Sequence, residues 1–182
     1  MSAAQYPQNT HTHYAMTIET HNLGLNLLRL APLVLSTASL MCGVDQANAL
    51  RPFSKPPLAK TGGSVLPHWF SGFFDTTIYA VGLSYPLAFA TALLNAGKYV
   101  GDLDDTTRYL YWAGAAFSAG HFLYGPGAMQ IIARMCDKEN PGVKNTQTTH
   151  EWLDMNFTRI ITVDGPAWIM YFAAVLSAAS FP

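Results

Sequence analysis

Hydrophobic residues in this chain fall into long blocks separated by short polar connections. Predominantly apolar stretches cover residues 23–50, 68–95, 109–135 and 149–181. A helix crosses the hydrocarbon of a bilayer in about 20 residues, or somewhat fewer when long polar side chains at its ends reach the headgroups. Each stretch is therefore predicted to be a transmembrane helix, and residues 23–182 an all-α integral membrane four-helix bundle. Residues 1–22 are polar and carry no Lys or Arg, so they lack the basic start of a secretory signal and the arginines of a transit peptide. They are expected to form a disordered tail, in which His11, His13 and His21 make only a weak metal signal.

Polar positions inside the blocks mark candidate interior faces. The first span is interrupted by Arg29, Pro32 and the group Asp45, Gln46 and Asn48. That group is either a site inside the bundle or a helix end at the headgroups. Arg51–Pro67, with Pro52, Pro56, Pro57, Gly62 and Gly63, reads as a loop. In the second span His68, Gly72, Asp75, Tyr79, Gly82 and Pro86 recur every three or four residues and so share one helix face. That face is expected to look into the bundle, because lipid does not tolerate a carboxylate such as Asp75. The third span lines up Gly114, Ser118, His121, Gly125 and Ala128, small residues that let a neighbouring helix or a flat ligand come close. Pro126 is expected to kink it and to free the carbonyl of Phe122. His121 then lies one turn before the bend, either as an interhelical hydrogen bonder or as a functional imidazole.

The last block is the most informative. Thr148 and Glu151 have the spacing of a capping box, which predicts a helix from about Thr149. Trp152, Asn156, Arg159 and Val163 follow one another at helical spacing, in one line along it. An arginine at mid-membrane costs about 2.5–3.5 kcal/mol on the insertion scale. Arg159 therefore either faces protein, water or a ligand, or snorkels to the headgroups as an anchor. Asp164-Gly165-Pro166 either ends one helix, with Asp164 capping the next, or kinks a continuous one. The continuous helix is the more economical reading, since few residues follow Asp164.

Composition adds further constraints. Half of the 182 residues are hydrophobic (50%) and only 12% are charged, against about 25% in soluble domains. A net charge of -1 leaves no basic stripe to neutralise phosphates, so nucleic acid is not an expected partner. Cys42 and Cys136 are too few for a disulfide framework and are expected to be buried packing residues. Lys and Arg concentrate in the first and third connections, which the positive-inside rule makes cytoplasmic, with both termini luminal or external. The sequon Asn156-Phe157-Thr158 then faces the wrong compartment and is expected to be unmodified. The endoplasmic reticulum is the expected membrane, and homo-oligomerisation stays open.

No H-E-x-x-H, G-x-S-x-G, P-loop or G-x-G-x-x-G pattern occurs, so zinc hydrolysis, serine hydrolysis and nucleotide chemistry have no sequence support. No metal site is expected. What remains is a bundle interior that collects Asp75, Tyr79, His121, Tyr124, Trp152, Asn156 and Arg159. This set suits a flat, apolar, weakly acidic small molecule. Tyr79, Tyr124 and Trp152 would cover its faces, His121 assisted by Asp75 would take a proton, and Asn156 and Arg159 would hold the resulting oxyanion.

The segment W-L-D-M-N-F-T-R-I-I-T-V-D-G-P-A-W at 152–168, after three shorter apolar spans and a long first loop, resembles the family of small four-span membrane proteins that includes the fungal anthrone oxygenases. The likeness covers most of residues 23–181 and is most specific in W-L-x-x-N-x-x-R, here Trp152, Leu153, Asn156 and Arg159. It implies oxidation of an anthrone to an anthraquinone in aromatic polyketide biosynthesis, by O2 and without metal, flavin or other cofactor. An anthrone is a carbon acid whose enolate can pass an electron to oxygen, so the protein has mainly to remove a proton and hold the anion. The role of His121 as base is read from the residues, not from the family. Two other classes share nearly the same pattern: a cofactor-free isomerase or cyclase, and a non-catalytic four-span scaffold or carrier for apolar intermediates.

Overall fold

The computed structural model describes residues 10–97, 101–139 and 143–180. Among them all regular structure is helical: α1 (Thr10–Leu50), α2 (Leu58–Thr61), α3 (Leu66–Ala96), α4 (Asp105–His121), α5 (Gly125–Met135), α6 (Val143–Arg159) and α7 (Gly165–Ser180). A 3-10 turn at Phe122–Tyr124 joins α4 to α5, and a π-turn at Ile160–Asp164 joins α6 to α7. Four rods result: α1, α3, α4–α5 and α6–α7. The first and third rods each pack against both the second and the fourth.

Successive rods run in opposite directions, as the order of core residues along them shows. One apolar cluster takes Leu50 from the end of α1, Phe70 from the start of α3, Ile132 from α5 and Trp152 from α6. The other takes Ala92 and Ala96 from the end of α3, Tyr111 and Ala115 from α4, and Tyr171 and Ala174 from α7. Between the two clusters every rod contributes buried small or polar residues: Ser39 and Gly43, Ser84 and Tyr85, Ser118 and His121, Asn156, Arg159 and Asp164. The small residues of α4 work as the spacing implied, since a Cβ on Gly114 would collide with the Tyr171 ring, and Ser118 shares a hydrogen bond of 2.9 Å with the Tyr171 hydroxyl.

Among the described residues, three helical segments are long and apolar enough to cross a membrane, Leu23–Ser54, Leu66–Ala96 and Lys144–Ala179. The expectation of four such spans is corrected at the third rod. Helical and 3-10 backbone runs unbroken from Asp105 to Met135, but Ser118, His121 and Gln130, with the glycines among them, leave this rod less apolar than the other three. Its outer surface is nevertheless apolar, with Tyr109, Trp112, Phe117, Leu123 and Met129 exposed. Pro126 sits at the break, in the first turn of α5, where its missing N–H removes no helical hydrogen bond. The Phe122 carbonyl is not free, because it accepts the Gly125 N–H.

Other expectations are also corrected. Helix α6 starts at Val143 rather than Thr149: the Thr148 hydroxyl donates to the Lys144 carbonyl (2.8 Å), and Glu151 pairs with Arg134 (2.6 Å), so neither caps a helix. Helical backbone begins at Thr10; residues 1–9 of the expected tail, and the side chains of His11, His13 and His21, lie outside the described residues. Cys42 and Cys136 are half-buried rather than core residues.

The largest reversal concerns α3. His68, Gly72, Asp75, Tyr79, Gly82 and Pro86 all lie on the outer surface, Tyr79 being 72% exposed. The buried side holds Phe70, Ser84, Tyr85, Ala88, Ala92 and Asn95 instead. These residues have partners that the other face lacks. Phe70 meets Trp152 edge-on at 6.1 Å between ring centroids, and the Ser39 hydroxyl donates to that of Ser84 (2.7 Å). Asn95 donates to the Leu28 carbonyl (2.8 Å), which Pro32, four residues on, leaves without its helical donor.

The π-turn has a local cause in Asp164-Gly165-Pro166. The Gly165 N–H reaches back five residues to the Ile160 carbonyl, and a Cβ on Gly165 would stand 2.8 Å from that oxygen. In a regular α-helix, side chains five apart point about 140° away from each other. An i→i+5 turn stacks them instead, which sets Arg159 and Asp164 on the same side of the rod. Gly165→Ala is expected to break the turn and to lower stability in detergent by about 1–3 kcal/mol, the usual range for overpacking. Unchanged melting of that variant would show that the turn tolerates a side chain.

At the start of α4, the Thr107 hydroxyl donates to Asp104 Oδ2 and the Thr107 amide to Oδ1 (3.0 Å). Both bonds favour the charged form and hold this carboxyl below the usual aspartate range. The resulting stabilisation is present above the ordinary aspartate value of about 3.9 and is lost as pH falls through the lowered value. Asp104→Ala should therefore lower the melting temperature at neutral pH, and the gap to the unaltered protein should close in acid.

Candidate active site

Asp164 lies at the centre of the polar layer, with its side chain 3% exposed. The π-turn aims it into the bundle rather than at a helix start, so of the two readings of Asp164-Gly165-Pro166 the continuous helix holds and the cap does not. One carboxylate oxygen, Oδ1, lies 2.9 Å from His121 Nδ1. The other, Oδ2, accepts from Arg159 Nε at 3.0 Å. An ionised carboxylate only accepts, so Nδ1 carries a proton, and in the neutral imidazole Nε2 then keeps a lone pair. No residue among those described bonds to Nε2. Tyr85 stacks on the imidazole with 3.5 Å between centroids and fixes its plane from the α3 side.

Arg159 is buried together with its counter-ion, as a charge in a low dielectric requires. Its Nη2 donates to Asn156 Oδ1 (2.6 Å), and Asn156 Nδ2 in turn donates to the Gly43 carbonyl (2.9 Å). A Cβ at Gly43 would make ordinary contacts, 3.4 Å from Arg159 Nη2 and 3.5 Å from Asn156 Oδ1, so α1 packs closely here without requiring glycine. Both polar ends of Asn156 thus have protein partners, through which it positions Arg159, and one amide hydrogen on Nδ2 remains for a further acceptor. The same burial keeps the sequon asparagine unavailable to a glycan.

A cavity of about 140 Å³ opens beside this cluster, with walls from all four rods. His121, Arg159, Trp152 and Gln46 supply its polar wall, and Phe74, Ile78, Val81, Met129 and Ile132 much of its apolar wall. The break between α4 and α5 helps to make the space, because Gly125 also lines it and a Cβ there would meet nothing within 4 Å. The structure thus brings His121, Arg159 and Trp152 to one cavity, with Asn156 behind them. It does not bring Asp75 or Tyr79, which face outward on α3. Tyr124 shares a hydrogen bond with Thr162 (2.8 Å) near the surface and is not part of the wall. Sequence reasoning missed Asp164 and Tyr85 as members of the cluster. The five-residue spacing of Arg159 and Asp164 before Gly-Pro was the available signal for the first, and no signal pointed to the second. Among the described residues no three His, Cys, Asp or Glu side chains gather as metal ligands would.

Comparison with known proteins places the chain beside fungal enzymes. A protein of Mollisia scopiformis named a probable epoxidase is 30% identical over 155 residues, 85% of this chain and 97% of the relative. An epoxidase of Acremonium sp is 31% identical over 159 residues, 86% and 96% of the two chains, and an epoxidase of Penicillium citrinum is 30% identical over 85% and 96%. This chain belongs to their family. The shared length is most of the chain, so the likeness is not confined to one motif. A protein of Penicillium oxalicum named for an oxaleimides biosynthesis cluster is 26% identical over 85% of this chain and 91% of its own. No family model matches, and no solved structure does. The names of these family members speak of epoxidation, not of anthrone oxidation.

Removing one member of the buried ion pair leaves the other uncompensated, which typically costs about 3–5 kcal/mol. Arg159→Met and Asp164→Asn are each expected to lose stability on that scale, measured by unfolding in detergent micelles. The double variant should lose less than the sum of the two. A strictly additive double variant would show that the two groups do not interact.

Proposed function

We propose that this protein is a membrane oxygenase of fungal secondary metabolism, which adds oxygen to an apolar unsaturated small molecule at the cavity between the four rods. The observation that carries this reading is a single juxtaposition: a histidine with a free Nε2, oriented by a carboxylate, beside a buried guanidinium on one mostly apolar cavity. The names of the relatives favour epoxide formation among oxygenations. In that reaction one atom of O2 bridges the C=C bond and the other leaves as water. The balance takes two electrons and two protons, so a two-electron reductant is a co-substrate. His121 Nε2 would relay protons to the departing oxygen, with Asp164 stabilising the imidazolium, while Arg159 faces the negative charge that develops on oxygen.

Anthrone oxidation, the reaction implied by the family resemblance, uses the same groups differently. His121 Nε2 would take a proton from the carbon acid and Arg159 would hold the enolate oxygen. The ring methylene becomes a carbonyl, the second oxygen atom leaves as water, and the substrate supplies every electron. Cavity size favours the epoxidase reading. At about 140 Å³ the space is well below the roughly 300–1,000 Å³ of typical small-molecule sites. It suits the reacting end of a longer molecule better than a fused three-ring system.

The test is isotope incorporation from 18O2 by the purified protein in nanodiscs, given an alkene-bearing apolar substrate and a reductant, or an anthrone without one. Labelled epoxide is expected, and His121→Ala should lower its rate by about a hundred- to ten-thousandfold. Labelled anthraquinone alone would favour the anthrone reading. Product without label would indicate an isomerase or cyclase, and no product would indicate a carrier.

A further inference from the structure

Two residues on the wall of this cavity each carry a buried polar atom with no hydrogen-bond partner among the described residues: Trp152 Nε1, a donor, and Gln46 Oε1, an acceptor. Their residues are 4% and 7% exposed. Buried donors and acceptors are nearly always paired, so a complementary pair of orphans on one cavity needs an explanation. Apart from His121 Nε2, the remaining polar side chains of the wall are bonded within the protein. Thr77 donates back to the Phe73 carbonyl (3.0 Å), Arg159 is held by Asp164 and Asn156, and His121 by Asp164. The other two orphan atoms, on Tyr85 and Asn95, belong to residues that do not line the cavity.

Trp152 and Gln46 come from different rods, α6 and α1, and so face the cavity from two sides. Trp152 meets Phe70 edge-on. Gln46 is held loosely, because its amide nitrogen has only the Cys42 sulfur at 3.8 Å, a weak acceptor. Both orphan atoms are covered from solvent, so a guest meets them when these side chains turn slightly, and the Gln46 amide is free to do so.

We propose that Trp152 Nε1 and Gln46 Oε1 form the substrate-recognition site of this cavity, and that they bind a neutral group which both accepts and donates a hydrogen bond, namely a hydroxyl or a secondary amide. The proposal rests on the oxygenase reading for what happens next, but not for binding. The substrate is then a functionalised molecule with its polar group close to the reacting unsaturation, not a plain hydrocarbon. The indole N–H takes the acceptor side of that group, and the glutamine carbonyl takes its N–H or O–H. A tertiary amide or an ether of the same shape leaves Gln46 Oε1 unpaired and is discriminated against.

Binding can be measured apart from turnover, by calorimetry on the full chain in nanodiscs with short ω-alkenyl N-methyl amides, their N,N-dimethyl counterparts and the matching alkenes. The N-methyl amide is expected to bind about tenfold more tightly than the dimethyl amide, the worth of one good hydrogen bond. Trp152→Phe keeps the ring and removes the N–H. It should weaken both amides about tenfold and the alkene much less. Gln46→Leu should erase the preference for the N-methyl amide. Equal binding of all three probes by the unaltered protein would overturn the proposal, as would a loss in either variant that is the same for amides and alkene. If Trp152→Phe fails to fold, the probe series on the unaltered protein and Gln46→Leu still decide. Preference for the N-methyl amide without labelled product would uphold this site while removing the oxygenase reading.

Discussion

The Asp164 carboxylate, shared between a guanidinium and an imidazole in the middle of an apolar bundle, is the constraint around which the fold is arranged. A charge of this kind persists away from water only when its partners are close and their remaining groups are also satisfied. Arg159 meets that condition at Nε, and Asn156 then serves its Nη2. Asn156 in turn needs an acceptor, which α1 supplies as the Gly43 carbonyl. The chain of bonds therefore runs from the π-turn through α6 to α1, and through His121 to the third rod. All four rods are tied to it once Tyr85 has closed over the imidazole.

This arrangement depends on irregular backbone at two places. The π-turn rotates Asp164 to the side of Arg159, and the 3-10 break after His121 separates α4 from α5 where the cavity needs room. Both irregularities sit next to the candidate chemistry, as π-turns frequently do. The apolar clusters on either side are regular and tightly packed, with small residues set against Tyr171 in one and aromatic rings meeting in the other. The regular ends thus hold the irregular middle. Such a division of labour gives a pre-organised polar site without requiring a large soluble core.

The cavity is small and mostly apolar, and its polar groups fall into two kinds. His121 and Arg159 are tied to Asp164 and suited to handling protons and negative charge. Trp152 and Gln46 are neutral and unpaired, suited to holding a substrate in one orientation. On the proposed reading, reaction and recognition fall to different residues of one cavity. Orientation by a few placed hydrogen bonds in an otherwise greasy pocket is a general way to select among apolar molecules.

The blocks of hydrophobic residues determined the helical class, the positions of the four rods and the turn at Pro126, because burial of long apolar segments leaves helices as the main way to satisfy the backbone. Periodicity also aligned Trp152, Asn156 and Arg159 correctly, since side chains three and four apart always share a helix face. It could not choose which face of α3 looks inward. Both faces of that helix are periodic, and the choice went to Phe70 and Tyr85 because neighbouring rods offered them Trp152 and His121. Nor could spacing alone reveal Asp164 as the partner of His121. Their pairing joins residues far apart in the chain across two rods, and it exists only because a five-residue turn, stabilised by its surroundings, turns the carboxylate inward. Local residue patterns set the helices, and contacts between them decided which side chains meet.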